Sequence, residues 1–416
     1  MSRHSAITVF YFLALGSGVM RTFSVTFDIV ALNTVMSPIT VEDSLVYGFM
    51  SQWVSFAATF LVVAFLSLRH TIDGKPRAIG YKVDPDFGRM SILPKEPMKY
   101  QLLAGVFAGI STLSYYVIAG QSDASAVLPF GQLVIVYLLF ADLMAEKDTP
   151  TIIEIQCITS ILLGVLLVGV SPGGFDPIAL LIVLVPLNLA SAFFTYFQKK
   201  TKRYAIRPGL RVDSLNMRLW SLLFLNITFS LPAALMITPT GWAEMVQTFV
   251  PLLWMMVGSS LTAFFSLVMY VRALGRGSMA VVNSLSSISV VLGIPVTLIG
   301  NFFLPGGFGS ITSDTFLWTL KVFGVILVMI GVFALQGSDV RSIMLLRVKP
   351  QTGDLLPLLY EIKGVESASA LAGGIDYLLS VKSRSLAKTR TQILKRVQRV
   401  PGVASIHTLI VLREYR

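Results

Sequence analysis

Charge is scarce in this sequence. Asp, Glu, Lys and Arg make up 13% of its 416 residues, about half the ~25% usual for soluble domains. Cysteine is scarcer still. Cys157 stands alone, which excludes an intramolecular disulfide, and it falls inside an apolar run where a small thiol is ordinary filler. The three histidines, His4, His70 and His407, are scattered with no metal-ligand spacing. No glycine-rich phosphate loop is present, so ATP-driven work by this chain alone is not expected. A membrane-embedded enzyme would carry paired acids or histidines on facing spans, and the sequence has none. No catalytic residue, metal or cofactor is therefore expected.

Apolar residues make up 54% of the chain, and they gather into runs long enough to cross the ~30 Å hydrocarbon core as helices. Ten spans are predicted, near Ile7–Leu32, Leu45–Leu68, Tyr100–Gly120, Ala124–Met144, Thr151–Val170, Pro177–Phe197, Leu215–Ile237, Phe249–Val271, Ser278–Phe302 and Phe316–Leu335. The first run is too long for a signal peptide and lacks a small-residue cleavage site, so it reads as a retained span. The formal charge of +11 raises the question of nucleic acid, but its placement answers differently. Segments Arg69–Lys99 and Lys199–Arg218 are basic, whereas the loops around Glu42–Asp43, Asp123, Asp176, Glu244 and Asp314 contain no Lys or Arg. By the positive-inside rule the basic loops are cytoplasmic. Ten spans counted from a cytoplasmic N-terminus place every basic loop on one side. The expectation is a multi-pass cell-membrane protein with both termini cytoplasmic, whose partner is the bilayer and not nucleic acid.

An internal repeat accompanies the spans. Tyr116-Val117-Ile118-Ala119 leading to Ala126-Val127 aligns with Tyr270-Val271-Arg272-Ala273 leading to Ala280-Val281, and Gly164-Val165-Leu166-Leu167-Val168 aligns with Gly324-Val325-Ile326-Leu327-Val328. Five spans per half is an odd number, so the second copy inserts upside down. With Ala124-Ser125-Ala126-Val127-Leu128-Pro129, the Glu146-Lys147 turn and the glycine-bearing fifth and tenth spans, residues 7–336 resemble the ten-span, EamA-like members of the drug/metabolite transporter superfamily. Leu304-Pro305-Gly306 departs from that pattern, standing where an acidic turn would follow the ninth span. The resemblance implies an all-α polytopic membrane bundle of ten helices, two inverted five-helix repeats (about 1–170 and 177–337) within a transporter domain 1–337. It also implies alternating access around a central cavity.

Polar residues inside spans point to that cavity, because unsatisfied polar groups in hydrocarbon are costly. Arg21 stands ~21 Å along the first helix from Ile7 by the ~1.5 Å rise, and Asp28 is two turns on, near the same face. Either the pair lines a path, or the span is shorter and both lie at the outer interface. Ser111 with Tyr115, and Thr112 with Tyr116, share faces of the third span, and Gln132 lies in the fourth. Asn188, Ser191, Thr195 and Gln198 form one stripe of the sixth, facing either the cavity or a neighbouring helix. Asn283, Ser286 and Ser287 open the ninth. Substrate-cavity candidates are Arg21, Asp28, Tyr115, Tyr116, Gln132, Asn188, Ser191, Thr195 and Asn283. Pro129, Pro186 and Pro295 are expected to break helices, for ligand or for packing alone, and Gly105 and Gly109 to serve packing.

Beyond Gly337 the composition turns charged and the elements short. A strand at Ser342–Lys349, a helix near Gly353–Ile362, strands near Glu366–Leu371 and Tyr377–Lys382, a helix Leu386–Val400 and a strand Ala404–Arg413 give an α+β ferredoxin-like βαββαβ order over 342–416. Gly364-Val365, Gly373-Gly374-Ile375-Asp376-Tyr377-Leu378-Leu379, Pro401-Gly402-Val403 and His407-Thr408-Leu409-Ile410-Val411-Leu412 resemble the Lrp/AsnC effector-binding domain, with Ile375 where that family usually has an aromatic. The resemblance implies a domain that pairs through its sheet into a homodimer and binds small molecules, with Gly373 and Asp376 as effector contacts. The DNA-reading helix-turn-helix that normally precedes it is missing. Two functions are weighed: a secondary transporter of small metabolites, amino acids or related compounds favoured, with a cytoplasmic regulatory tail, and a membrane sensor that does not transport.

Overall fold

The structure, a computed structural model, describes residues 3–36, 40–72, 75–119, 128–146, 152–168, 177–207, 210–276, 279–308, 314–337, 340–362, 364–383 and 393–410. Each predicted apolar run is largely helical over its described residues. In order these are α1 (Arg3–Val35), α2 (Val41–Leu66), α3 (Lys95–Ala119), α4 (Val134–Glu146, entered by a 3-10 turn at Gly131–Leu133) and α5 (Ile152–Val168). Helix α6 covers 177–202, and α7 (Ser214–Met236), α8 (Pro239–Leu274), α9 (Met279–Ser286), α10 (Ile288–Phe303) and α11 (Thr315–Gly337) follow. Six of these helices are long and apolar enough to cross a membrane. The chain divides into a helical unit, Met1–Asp142 with Ile158–Val332, and a second unit, Leu143–Cys157 with Phe333–Arg416.

The helix starts are written in local chemistry. Thr40 and Asp43 form a reciprocal capping box at α2, the Thr40 hydroxyl accepting the Asp43 N–H (3.2 Å) and the Asp43 carboxylate accepting the Thr40 N–H (2.7 Å). Thr238 caps α8 ahead of Pro239, and Glu42 accepts both the Thr238 N–H (2.8 Å) and its hydroxyl (2.6 Å), tying the starts of α2 and α8 together. This cap begins α8 ten residues before the predicted Phe249, because hydropathy alone undervalues the segment that holds Glu244 and Gln247.

Prolines act differently from the expectation. Pro186 sits in a π-helical turn, Val183–Leu189, that widens α6. Pro295 leaves α10 continuous, and the interruption of the ninth predicted span falls at Ser287. A helix can absorb one missing N–H where neighbouring groups satisfy the freed carbonyl. The basic segments are built and not merely loops: β1 (Arg69–Ile72) pairs with β2 (Lys75–Ala78), and β3 (Ala205–Arg207) with β4 (Leu210–Arg211). The predicted packing role of Gly105 and Gly109 holds. An added Cβ at Gly105 would lie 2.9 Å from the Ser221 carbonyl oxygen, and one at Gly109 3.0 Å from that of Leu225, so the small pair lets α3 and α7 approach.

In the second unit, β5 (Val340–Val348), α12 (Leu356–Tyr360), β6 (Val365–Ala370), β7 (Tyr377–Ser383), α13 (Leu394–Gln398) and β8 (Val403–Ile410) follow the predicted βαββαβ order. The sheet is antiparallel throughout with order β6-β7-β5-β8. Met344, Leu346, Leu379 and Val381 alternate onto one face, where Leu355, Leu359, Ile393 and Val397 pack against them. The predicted helix from Leu386 lies partly outside the described residues, as do the end of the last strand, the loops at Asp123 and Asp176, and Ser125.

Candidate functional site

A cavity of about 230 Å³ opens inside the helical unit, lined from α1, α2, α3, α6, α7, α8 and α9. Its one carboxylate is Asp28, 5% exposed. Tyr47 of α2 and Ser259 of α8 donate to its Oδ1, each at 2.8 Å, and Tyr115 of α3 donates to its Oδ2 at 3.0 Å. Three hydroxyls from three helices thus hold one carboxylate. Beside this cluster Gln52 donates to the Tyr116 hydroxyl (3.2 Å). Across the cavity Tyr270 shares a hydrogen bond with Thr195 (3.1 Å) and accepts one from the Asn283 amide (2.7 Å).

Seven of the nine cavity candidates line this space: Arg21, Asp28, Tyr115, Tyr116, Ser191, Thr195 and Asn283. The Arg21 guanidinium also lies along the turn before α4, where a Cβ on Gly131 would stand 3.3 Å from its Nη2. Gln132 and Asn188 do not line the cavity. Asn188 donates to the carbonyls of Phe130 (2.9 Å) and Val183 (2.6 Å), and Gln132 bonds Ser287 and the Leu128 carbonyl. A widened turn at Pro186 presents carbonyls that need donors, and the nearest amide supplies them. Gln198 leaves the stripe too, pairing amide to amide with Gln101.

Several lining residues were missed from sequence. Ser259, Ser266 and Tyr270 lie seven and four residues apart on α8, a face that periodicity would have shown. Arg218 carried no such signal. The sequence puts it both at the end of a basic segment and inside the seventh span, and the structure places it in the first turns of α7, 6% exposed and lining the cavity.

A second pocket, about 530 Å³, is bordered by Asp84, Asp86, Lys202, Arg207, Arg211, Arg272 and Arg276. Lys202, 5% exposed, donates to Asp84 and Asp86 (3.0 Å each) and to the Val212 carbonyl (2.9 Å). Burial raises the Asp84 carboxyl, but the Lys202 ammonium and the Ser214 N–H outweigh it and hold the group below its ordinary value. Asp213, the N-cap of α7, goes the other way. Burial pushes it up to about 6 despite hydrogen bonds from Asn216. Among the described residues no cluster of His, Cys, Asp or Glu has the makings of a metal site.

In the second unit Gly373 has φ +147°, a backbone that favours glycine, with open space where a Cβ would stand. Asp376 accepts the Val348 N–H (2.7 Å) and so holds the entry of β7 to the end of β5.

Residues 343–416 match the Lrp/AsnC ligand binding domain family, in agreement with the sheet order just described. The C-terminal domain is of that type. No match to the drug/metabolite transporter superfamily accompanies it, and no curated protein matches the chain. A solved structure described as "Crystal structure of protein" is similar over 77% of this chain and 95% of its own, at 14% identity and a TM-score of 0.45. A likeness of that size assigns nothing.

Proposed function

We propose that residues 1–337 form a secondary transporter of small metabolites, amino acids or related compounds favoured, and that the C-terminal domain is its cytoplasmic regulator. The observation that carries this reading is the cavity itself. Seven helices converge on a partly open cavity holding Asp28 and two arginines, within a unit whose outer surface is apolar. Buried polar linings of that kind mark solute paths in membrane proteins. The volume, about 230 Å³, falls below the ~300–1,000 Å³ of drug-sized pockets, which favours a small metabolite over a drug.

Two features support ten spans in inverted repeats. The helix contacts come in matched pairs when each half is exchanged for the other: α1 with α8 answers α6 with α3, and α2 with α8 answers α7 with α3. Gly164 and Gly324, aligned by the repeat, also meet each other. A Cβ on Gly164 would stand 2.5 Å from the Gly324 carbonyl oxygen, and one on Gly324 2.6 Å from that of Gly164. Reciprocal contact between equivalent residues is what a two-fold axis produces.

The test is uptake of a labelled amino acid panel by purified protein in proteoliposomes. Transport across the bilayer supports the proposal. Binding without transport favours the second reading, a membrane sensor, for which the ligand binding domain at residues 343–416 speaks.

A further inference from the structure

We propose that Arg218 is the carboxylate anchor of the central cavity, the group on which an anionic end of the solute binds. This rests on the cavity being a solute site, as proposed above, and names the chemistry it selects.

Arg218 is 6% exposed, yet its Nε has no hydrogen-bond partner. None of the ion pairs among the described residues includes it. Guanidinium offers five N–H donors in a planar fork that matches a carboxylate. Burying such a group without an acceptor carries a desolvation cost that an arriving anion relieves. The lining supplies no such anion. Its one carboxylate, Asp28, already accepts three hydroxyls, while its cationic side chains are Arg218 and Arg21. Two guanidinium groups against one carboxylate leave the lining with an excess positive charge.

Asp28 does not compete for that role. A carboxylate has about four acceptor positions. Tyr47 and Ser259 take two on Oδ1, and Tyr115 takes one on Oδ2. Asp28 is thus engaged by the protein's own hydroxyls, which leaves Arg218 as the buried lining charge with an unpartnered donor. Arg21, the other cationic side chain of the lining, adds to the field that favours a carboxylate.

The experiment compares each L-amino acid with its α-amide, which keeps the ammonium and side chain but loses the carboxylate charge. Binding to the full-length protein in detergent is read by thermal shift and titration, and exchange is read in proteoliposomes. Wild type should bind its best amino acid at least about tenfold more tightly than the amide, the order expected for losing a charge-assisted hydrogen bond. Arg218→Gln should bring the acid down to the amide's affinity and leave the amide unchanged, and Arg218→Lys should keep part of the preference. Equal binding of acid and amide by wild type overturns the inference with no variant needed, as does the absence of binding by every amino acid. So does an Arg218→Gln protein that elutes and melts as wild type does and keeps the acid-over-amide ratio. Carboxylate-selective binding without exchange in proteoliposomes sinks the transporter reading and leaves the anchor standing. Exchange with an unchanged ratio does the reverse.

Discussion

Asp28 is held by hydroxyls from α2, α3 and α8, so a change there is felt by three helices together. Asp28→Asn replaces one acceptor oxygen by a donor and sets an N–H₂ against a hydroxyl that has lost its partner, a mismatch costing about 1–3 kcal/mol. The variant is expected to fold with a reduced melting temperature and to lose uptake. Wild-type uptake would remove Asp28 from the site. Arg21 differs, because its side chain is exposed to the cavity and holds no structural ion pair. Arg21→Ala should leave purified yield close to wild type and impair uptake, and uptake equal to wild type in that variant would dismiss Arg21. Asp213 is the residue whose charge state changes in an accessible range. Its carboxyl titrates near 6 in the folded protein, above the ordinary 3.8. Between those values the folded state keeps a proton that the unfolded chain releases. The stability this provides is complete below about pH 4 and is lost as pH rises through 6. Asp213→Asn keeps an oxygen to cap Asn216 but cannot ionise. Melting curves from pH 4 to 6 should therefore show wild type losing about 1–3 kcal/mol relative to the variant. Parallel curves would mean that the carboxyl is not shifted.

The elements show why some of this was readable and some was not. Apolar runs define helices directly, so the predicted runs fall largely on helices, six of them long and apolar enough to cross a membrane, and alternation in the tail gave the four strands in their order. Arg21, Asp28, Tyr115 and Tyr116 were found because a charge or polar stripe inside an apolar run has few local explanations. Arg218 and Lys202 were not, because each stands where a basic loop meets a helix and composition cannot say which it joins. Only tertiary pairing across more than a hundred residues shows that Lys202 closes on Asp84. That closure should matter. Lys202→Met leaves Asp84 and Asp86 without the ammonium that hydrogen-bonds both and is expected to cost about 3–5 kcal/mol. Adding Asp84→Asn should recover part of the loss, and a double variant no more stable than the single one would show that the ion pair is not the cause. At the α5–α11 crossing, Gly164→Ala must push apart two backbones and should cost about 1–3 kcal/mol. Gly88→Ala, with open space at its Cβ, is the control.

At the scale of the whole molecule, a ligand binding domain follows the last apolar helix after a very short stretch of chain, Gly337 to Val340. A linker so short gives little slack between the two ends it joins. One face of the tail sheet packs its own helices. The opposite face, by the strand register, carries Ile343 and Leu345 beside Leu378, with Leu409 53% exposed. An apolar sheet face of that kind suits a second copy of the same domain. Full-length protein should then be a dimer by light scattering in detergent, and Leu345→Lys should yield a monomer that keeps the wild-type melting temperature. If the tail regulates transport as proposed, the coupling is a free energy shared by both sites, so an effector that alters uptake must bind more or less tightly when solute is present. Deleting Ser342–Arg416 is expected to leave uptake intact while abolishing both the dimer and any response to amino acid on the tail side. A truncated protein that stays dimeric with unchanged kinetics would reduce the tail to an appendage. A dimer lost without any change in response would make it a clamp and not a sensor.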